Sequence, residues 1–191
     1  MNLLICGDSF ASDWTGKYPN SLGWPNQLAQ QFAVTNLAQA GCGEYKILLQ
    51  LLSVDLTKFD RIIVSHTSPY RLYVKQHPVH TDILHANSDL IYSDVKEHSK
   101  TNKKLLPVVE YFEKYADLDY MEFVHNLICQ EIDRLTKPFC VVHCTHFEWN
   151  QLYLFSYMKN FKSVNDQHPG LINHYNDAGN RLVYQELLDL L

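Results

Sequence analysis

One serine stands where a nucleophile could act. Ser9 follows Gly7 and Asp8 directly after the apolar run of residues 3–6. A short buried strand that ends in Gly-Asp-Ser can turn sharply and hold a hydroxyl above the carboxyl edge of a parallel sheet, where open α/β sheets bind their ligands. Because Gly, Asp and Ser are also ordinary turn residues, the motif gains a chemical meaning only from the rest of the chain.

A glycine after the second strand-like run could stabilise a developing negative charge. Gly41 precedes a helical pattern, so its backbone N–H could approach an oxyanion closely at the positive end of a helix. Alternatively, this glycine is needed only for a tight turn between the strand and the helix.

Two late histidines are candidates for a general base. His168 has Asp166 two residues before it and lies ahead of the terminal helical pattern, so we predict that His168 takes the serine proton and Asp166 orients its imidazole. His174 is the alternative base, but Leu171 stands where its orienting carboxylate would be. We therefore favour His168.

These motifs resemble, in kind and order, those of the SGNH hydrolases, also called GDSL-type esterases. In that family a Gly-Asp-Ser serine is the nucleophile, and a glycine and an asparagine after the next two strands donate to the oxyanion. The resemblance implies a three-layer, flavodoxin-like α/β fold with a central parallel sheet of four to five strands and helices on both faces. It also implies a triad of Ser9, His168 and Asp166, an acyl-enzyme and no cofactor.

The chain departs from the family after the third strand. Where the family has Gly-x-Asn-Asp, this chain has a histidine followed by Thr67, Ser68 and Pro69. Loss of one oxyanion donor costs roughly 3 kcal/mol, and we expect a hydroxyl of Ser68 or Thr67 to replace it in part. The chain also resembles a small SGNH-like group from phages and marine bacteria, in the combination of Trp24-Pro25, Asn-Leu-Ala-x-x-Gly ending at Gly41, and Thr67-Ser68-x-x-Arg71. Gly41, Ser68, Thr67 and Arg71 are thus the predicted oxyanion or substrate-binding residues.

Short β-type runs alternate with helical patterns along the chain, which predicts a parallel sheet covered by helices. We read a single domain over residues 1–191, in which Asp119 and Glu122 form a capping box. The predicted strands are residues 2–6, 33–36, 61–65 and 139–144, and the predicted helices are 24–32, 44–52, 105–115, 120–135, 152–158 and a terminal helix from 171 or 175 to 191.

An irregular insertion covers residues 73–104. Long loops in compact domains usually form lids or mobile segments, and we favour a lid or substrate-facing flap over disorder. Its four histidines, His77, His80, His85 and His98, show no pair at helical chelating spacing, so we predict solvated loop histidines. The run of residues 143–146 contains two histidines and a cysteine, but successive side chains of a strand point to opposite faces. We therefore expect no metal site.

Composition excludes several classes of protein. The chain has 191 residues, 46% of them hydrophobic, and a net charge of −5. A dense basic stripe, the usual mark of nucleic-acid binding, is missing from the sequence, so we expect no nucleic-acid partner. No run resembles a signal peptide or a membrane span, which predicts a cytoplasmic protein without a membrane partner. The five cysteines, an odd number without framework spacing, predict free and mostly buried thiols.

The sequence therefore predicts a serine esterase that uses an acyl-enzyme. The predicted partner is a small-molecule or glycan ester, and a small acyl group on a sugar suits the aromatic content of 13%. Two alternatives stay open: a catalytically impaired binding or structural module that kept the fold, and an O-acyltransferase that uses the same residues. The sequence indicates no particular oligomeric state.

Overall fold

Five parallel strands form the central sheet of the protein, seen in a computed structural model that describes residues 1–150 and 153–191. The strands are β1 (Asn2–Gly7), β2 (Ala33–Asn36), β3 (Arg61–His66), β4 (Val141–Thr145) and β5 (Met158–Asn160). Their order across the sheet is β2-β1-β3-β4-β5. This is the flavodoxin-like order, in which the strand order reverses between β1 and β3 and ligands bind beyond the carboxyl ends of the strands.

Helices cover both faces of the sheet, and a short extended segment lies outside it. The helices are α1 (Trp24–Leu28), α2 (Glu44–Leu52), α3 (Tyr92–Ser99), α4 (Leu106–Lys114), α5 (Leu118–Thr136), α6 (Lys162–Gln167) and α7 (Asp177–Leu188), and the extended segment is β6 (Pro169–Ile172). Helices α1 and α7 pack on one face and α2 and α5 on the other. The predicted fold class, a parallel sheet with helices on both faces, is confirmed.

Strand β1 shows why three layers form. Its side chains alternate between the two faces, so that Leu3 and Ile5 join the cluster under α1 and α7 while Leu4 and Cys6 join the cluster under α2 and α5. All four residues are fully buried. A strand buried on both faces reads as a continuous apolar run, which is the pattern of residues 3–6.

Some predicted element bounds are wrong. Helix α5 begins at Leu118, and its N-cap is Asp117, whose carboxylate accepts a hydrogen bond from Tyr120 N (3.0 Å), so the predicted capping box at Asp119 does not form. The predicted helix at 152–158 is also wrong, because Met158 begins strand β5 and residues 153–157 are not helical. The first residue of that prediction, 152, lies outside the described residues.

The insertion of residues 73–104, called here the inserted segment, folds onto the domain. It contains α3, and its buried side chains Leu90 and Val95 form a third apolar cluster with residues just beyond it. Asp89 holds the segment in place: its carboxylate accepts from Gly43 N (2.7 Å) and Val74 N (3.1 Å) and pairs with Lys46 Nζ (2.8 Å). The insertion thus forms an ordered wall above the sheet.

The cysteines follow the sequence prediction. All five are free, and four of them are buried: Cys6, Cys42, Cys129 and Cys144, with Cys140 exposed. Separately, the described helices include none that is both long and apolar enough to cross a bilayer.

Two imidazoles are buried at or near the carboxyl end of β4. His143 Nδ1 lies 2.9 Å from His66 Nε2, and the His143 ring stacks on Phe155. His146 Nδ1 lies 2.5 Å from the Tyr175 hydroxyl. Burial, aided by the charge of His66, lowers the pKa of His143 to about 2, and burial lowers the pKa of His146 to about 3.

These two groups make the fold sensitive to acid. In the unfolded chain both histidines bind protons below their ordinary pKa of 6.5, whereas in the native state they stay neutral to far lower pH. The free energy of unfolding therefore has its full value above pH 6.5 and decreases as the pH falls below it. Below pH 6.5, each buried ring lowers the free energy of unfolding by about 1.4 kcal/mol for every unit by which the pH falls. We expect the free energy of unfolding of His146→Gln, measured with urea between about pH 6 and pH 5, to depend less steeply on pH than that of wild type, by that amount per pH unit. His168→Gln, which leaves both buried rings in place, is the control, and equal slopes for wild type and His146→Gln would contradict the expectation.

Candidate active site

Ser9 lies at the carboxyl end of β1, next to the point where the strand order reverses. Gly7 allows the turn, because a Cβ at that position would lie 2.6 Å from Cβ of Ser65 on β3. Asp8 is fully buried and accepts hydrogen bonds from Phe10 N (3.0 Å) and from the Thr67 hydroxyl (3.0 Å). The motif thus points its aspartate into the protein and leaves the Ser9 hydroxyl facing a cleft.

A two-residue hairpin turn carries His174. Strand β6 runs out to Ile172, and Tyr175 returns antiparallel to it. Asn173 and His174 between them have φ of 51° and 61°. Two-residue hairpin turns of type I′ need positive φ at both central residues, and asparagine tolerates that region better than most residues do.

The hairpin brings His174 onto the serine. The distance from His174 Nε2 to Ser9 Oγ is 2.8 Å. The imidazole sits beside the ring of Phe10, with centroids 4.4 Å apart, and edge-on to Trp14, with centroids 6.2 Å apart. In this geometry a neutral imidazole with a free Nε2 lone pair can accept the serine proton.

Asn173 fixes the hairpin to the serine loop. Its amide donates to Ser9 O (3.3 Å) and to Ser12 O (2.9 Å). The Trp14 indole N–H also donates to Ser9 O (3.0 Å). The predicted site residues do not include Asn173, although the sequence carries one signal for it: an asparagine directly before a histidine, between two short β-like stretches.

The structure brings Ser9 together with His174 and not with His168, which corrects the preferred pairing. His168 is the C-cap of α6, and its backbone carbonyl accepts from Asn176 N (2.9 Å) at the base of the hairpin. Asp166 is exposed and pairs with Lys162 one helical turn away, not with an imidazole. The carboxylate two residues before His168 therefore belongs to a surface ion pair.

No carboxylate of residues 1–150 or 153–191 forms a hydrogen bond with His174. The ring is held instead by Phe10, Trp14 and the hairpin turn. Burial lowers the pKa of His174, and the positive charges of Arg71 and His85 lower it further. The imidazole is therefore neutral, the state that a base requires, near neutral pH.

Gly41 lines the same cleft as Ser9 and His174. Its φ of 73° favours glycine, and a Cβ there would lie 2.5 Å from the Ser88 hydroxyl oxygen. Its carbonyl accepts from Arg71 Nη1 (3.0 Å) and from Asp89 N (2.9 Å). Within the described part of the chain no group accepts from the Gly41 N–H, which leaves this donor for a ligand.

The predicted hydroxyl donors do not face Ser9. Thr67 is fully buried, and its hydroxyl donates to Asp8 and accepts from Arg71 Nε (3.0 Å). Ser68 lines a different cavity, of about 260 Å³, which it shares with Tyr45 and neighbouring apolar residues. The expectation that either hydroxyl replaces the family's asparagine is therefore corrected.

Arg71 occupies the floor of the Ser9 cleft. Its guanidinium bonds to Thr67 and Gly41 and lies 3.8 Å from the Asp8 carboxylate. Burial raises the pKa of Asp8 to about 6, and the charge of Arg71 works against that rise. Arg71, a predicted substrate-binding residue, is thus fixed by hydrogen bonds in the cleft that Ser9 lines.

The cleft around these groups has a volume of about 660 Å³. Aromatic side chains of Phe10, Trp14 and Phe147 form one part of its wall, and the inserted segment closes the other part. The lining residues from the inserted segment are His80, Asp82, His85, Ser88, Asp89, Ile91 and Asp94. A cleft of this size accepts a small organic molecule.

Comparisons with known proteins give distant similarities of fold. No family model matches the chain, and no curated protein matches it. A structure from Desulfitobacterium hafniense DCB-2, assigned to the G-D-S-L family of lipolytic proteins, is similar with a TM-score of 0.42 and 14% identity, covering 100% of this chain and 99% of that one. A structure from Bacteroides fragilis, assigned as an acylhydrolase, is similar with a TM-score of 0.38 and 8% identity, covering 100% and 88%. Similarities this distant carry no argument about the activity of this chain.

The role of Asn173 is testable by stability. Asn173→Gly keeps a residue that tolerates positive φ but loses both amide contacts, which should cost about 1–3 kcal/mol. Asn173→Ala should cost about 1 kcal/mol more, because alanine is strained in the left-handed region. Urea unfolding measures both values, with the exposed Asn20→Ala as the control. Equal stabilities of wild type and Asn173→Ala would contradict this account of the hairpin.

Proposed function

We propose that the protein is a serine hydrolase that cleaves esters through Ser9 and His174. The observation that carries the proposal is the 2.8 Å contact between Ser9 Oγ and His174 Nε2 at the carboxyl edge of the sheet. The open cleft that both groups line and the lowering of the His174 pKa by burial support it. His168 and Asp166 have no part in this mechanism.

The reaction has two halves. His174 Nε2 takes the proton of Ser9 Oγ as that oxygen bonds to the ester carbonyl carbon, and the tetrahedral intermediate then expels the alcohol, which takes the proton from the imidazolium. This leaves an acyl group on Ser9. His174 next takes a proton from water as the water attacks the acyl carbon, and collapse returns the proton to Ser9 and releases the acid.

Backbone amides and Arg71 stabilise the charge on the carbonyl oxygen. The free N–H of Gly41 and that of Ser9 are the direct donors, because oxyanion sites use amides fixed before the reaction. Arg71, held by Gly41 O and Thr67, supplies a positive charge in a chain that lacks the asparagine donor of the family that it resembles. Its role is electrostatic stabilisation of the same oxyanion.

The substrate favoured by the cleft is an ester of a small acyl group on a carbohydrate. Phe10, Trp14 and Phe147 offer flat apolar surfaces, and Lys17, Asp82 and His85 offer polar groups around them. Aromatic walls with a few polar groups suit sugar rings as well as other small polar esters.

One observation favours the second candidate, a binding module with little catalysis. In serine hydrolases the carboxylate partner of the histidine is worth roughly 10⁴ in rate. The described residues give His174 no such partner, so turnover by this site is expected to be slow. Acylation by an activated reagent is therefore a better readout than hydrolysis of a natural ester.

A fluorophosphonate probe separates the two candidates. We expect wild type to be labelled at Ser9 and Ser9→Ala to be unlabelled. His174→Ala should be labelled at least about 100-fold more slowly, because it loses the general base. His168→Ala is the matched control and should keep the wild-type rate. A folded wild-type protein that resists labelling, or a His168→Ala variant as slow as His174→Ala, would overturn the proposal.

The pH dependence of labelling tests the electrostatics. The base must be neutral, so the rate falls as the pH falls through the pKa of His174, and we expect this midpoint below 6.5 because burial, Arg71 and His85 all lower that pKa. Arg71→Met removes a positive charge, so its midpoint should move up toward 6.5 and its rate should fall about 100-fold.

Arg71→Lys is the control for charge, and it should keep the midpoint of wild type. A wild-type midpoint above 6.5, or an unchanged midpoint in Arg71→Met, would contradict the electrostatic role given to Arg71.

A further inference from the structure

A second cavity, called here the tyrosine pocket, lies beside the loop that follows β3. Its volume is about 260 Å³. Four tyrosines line it, from α2, the inserted segment, α4 and α5, and each stays at least 36% exposed: Tyr45, Tyr73, Tyr111 and Tyr120. The rings of Tyr45 and Tyr73 meet edge to face, with centroids 5.2 Å apart. The four rings therefore form the rim of the pocket, where its apolar surface meets solvent.

The rest of the lining is mostly apolar. Helix α5 contributes Met121, Val124 and Ile128, and the loop after β3 contributes Pro69 and Leu72. Val124 and Ile128 are four residues apart and so lie on the same side of the helix. A cavity of about 150 Å³ with an apolar lining binds benzene, so the tyrosine pocket has room for one or two aromatic rings.

The inserted segment supplies two of the lining residues, Tyr73 and Asp89, and its four histidines lie elsewhere. His77 is buried and accepts hydrogen bonds from Val79 N (3.2 Å) and His80 N (2.9 Å), and the other three histidines are half-buried. This corrects the expectation of solvated loop histidines. The segment thus adds no imidazole to the tyrosine pocket.

Glu44 and His125 also reach the pocket, but their polar atoms bond elsewhere in the protein. Glu44 accepts from Thr67 N (3.1 Å), and its carboxylate lies 2.6 Å from His66 Nδ1. His125 Nε2 donates to Thr67 O (3.0 Å), and its Nδ1 lies 3.6 Å from Cys129 Sγ. Both side chains are buried, and neither is left to pair with a charged ligand.

Arg71 and Asp89 form the boundary with the Ser9 cleft, because they line both cavities. The Asp89 carboxylate pairs with Lys46 Nζ (2.8 Å), and the Arg71 guanidinium donates to Gly41 O (3.0 Å). A charged ligand would lose hydration in the tyrosine pocket without gaining a counter-ion that is free of other bonds, which is costly. The pocket therefore favours an uncharged molecule.

The polar groups that remain for a ligand are hydroxyls. Among residues 1–150 and 153–191, none forms a hydrogen bond with the hydroxyl of Ser68 or with those of the four rim tyrosines. Each can donate and accept one hydrogen bond or more, which suits a polar substituent at the edge of a ligand. A sugar, with hydroxyls around its whole ring, would leave several of them against the apolar lining without partners.

We propose that the tyrosine pocket binds an uncharged aromatic molecule of one or two rings, with a polar substituent that bonds to hydroxyls of the rim. Aromatic rings are favoured over aliphatic groups because tyrosine rings and the Met121 thioether both make favourable contacts with aromatic surfaces. This site is separate from the proposed hydrolase chemistry, since neither Ser9 nor His174 lines it.

Titration with 2-naphthol, an uncharged phenol of two fused rings, tests the class of ligand. We expect isothermal titration of the full-length protein to show one site for it. Naphthalene-2-sulfonate has the same rings and a negative charge, and we expect it to bind at least about 10-fold more weakly, as should tetramethylammonium and methyl glucoside. Binding of any of these three as tight as that of 2-naphthol would overturn the proposed class.

The methionine methyl groups locate the site. The chain has three methionines, and of Met1, Met121 and Met158 only Met121 lines the pocket. In protein with isotope-labelled methionine methyl groups, 2-naphthol should shift the NMR signal of Met121 and leave the other two in place, because the ring current of a ligand acts only on nearby nuclei. Met121→Leu assigns the signal. A Met121 signal that does not move at saturation would overturn the proposal.

Truncation of the rim gives an independent measure of affinity. Tyr111→Ala and Tyr120→Ala should each weaken 2-naphthol binding at least about 10-fold, because each removes a ring from the rim. Tyr115 is the C-cap of α4, is 69% exposed and lies outside the pocket lining, so Tyr115→Ala is the matched control and should bind as wild type does. Ser9→Ala should also bind as wild type does. Wild-type affinity in the double variant of Tyr111 and Tyr120 would contradict the proposal.

Discussion

The geometry of the site depends on one contact, the attachment of the Asn173–His174 turn to the loop that carries Ser9. The serine leaves β1 near the start of the chain, and the imidazole belongs to a turn close to the end of it. The Asn173 amide bridges the two by donating to Ser9 O and Ser12 O. Because both turn residues have positive φ, the hairpin has one sharply defined conformation that directs His174 at the hydroxyl. Strand order and helix packing matter to the site chiefly because they let these two segments meet.

The fold and one side of the site could be predicted from sequence. Apolar runs alternating with helical patterns predicted the parallel sheet, and the position of Ser9 and Gly41 after β1 and β2 placed both at the carboxyl edge. Local patterns suffice for such features, because the residues that determine them are neighbours in the chain. The free N–H of Gly41 and its positive φ agree with the expected place of that residue.

The histidine could not be chosen in the same way. His168 is predicted as the base because Asp166 lies two residues before it, yet the Asp166 carboxylate forms a surface ion pair with Lys162. The position of His174 depends on a turn conformation and on contacts between residues more than 160 positions apart in the chain. A local sequence pattern carries no information about such contacts. The same limit applies to Thr67 and Ser68, since their direction depends on how Asp8 and Arg71 are buried beneath the cleft.

A second buried polar network supports the edge of the sheet behind the cleft. Glu44 at the start of α2 contacts His66 Nδ1 (2.6 Å) and accepts from Thr67 N (3.1 Å). Burial acts to raise the pKa of Glu44, but His66 and His125 hold it well below its ordinary value, so the carboxylate stays ionised. Buried networks of this kind are stable only when their members are satisfied, and removal of one partner is costly. Helix α2 is thereby tied to the end of β3, on the same loop that leads to Arg71.

The anchoring of the inserted segment sets how molecules can reach the serine. Asp89 bonds to the backbone at Gly41 and at Gly43, through its own N–H to Gly41 O and through its carboxylate to Gly43 N. Swinging the segment outward would pull on the carbonyl of Gly41, a residue that lines the cleft. The position of the inserted segment is thus coupled to that of Gly41. A molecule too bulky for the cleft could enter only at the expense of these hydrogen bonds.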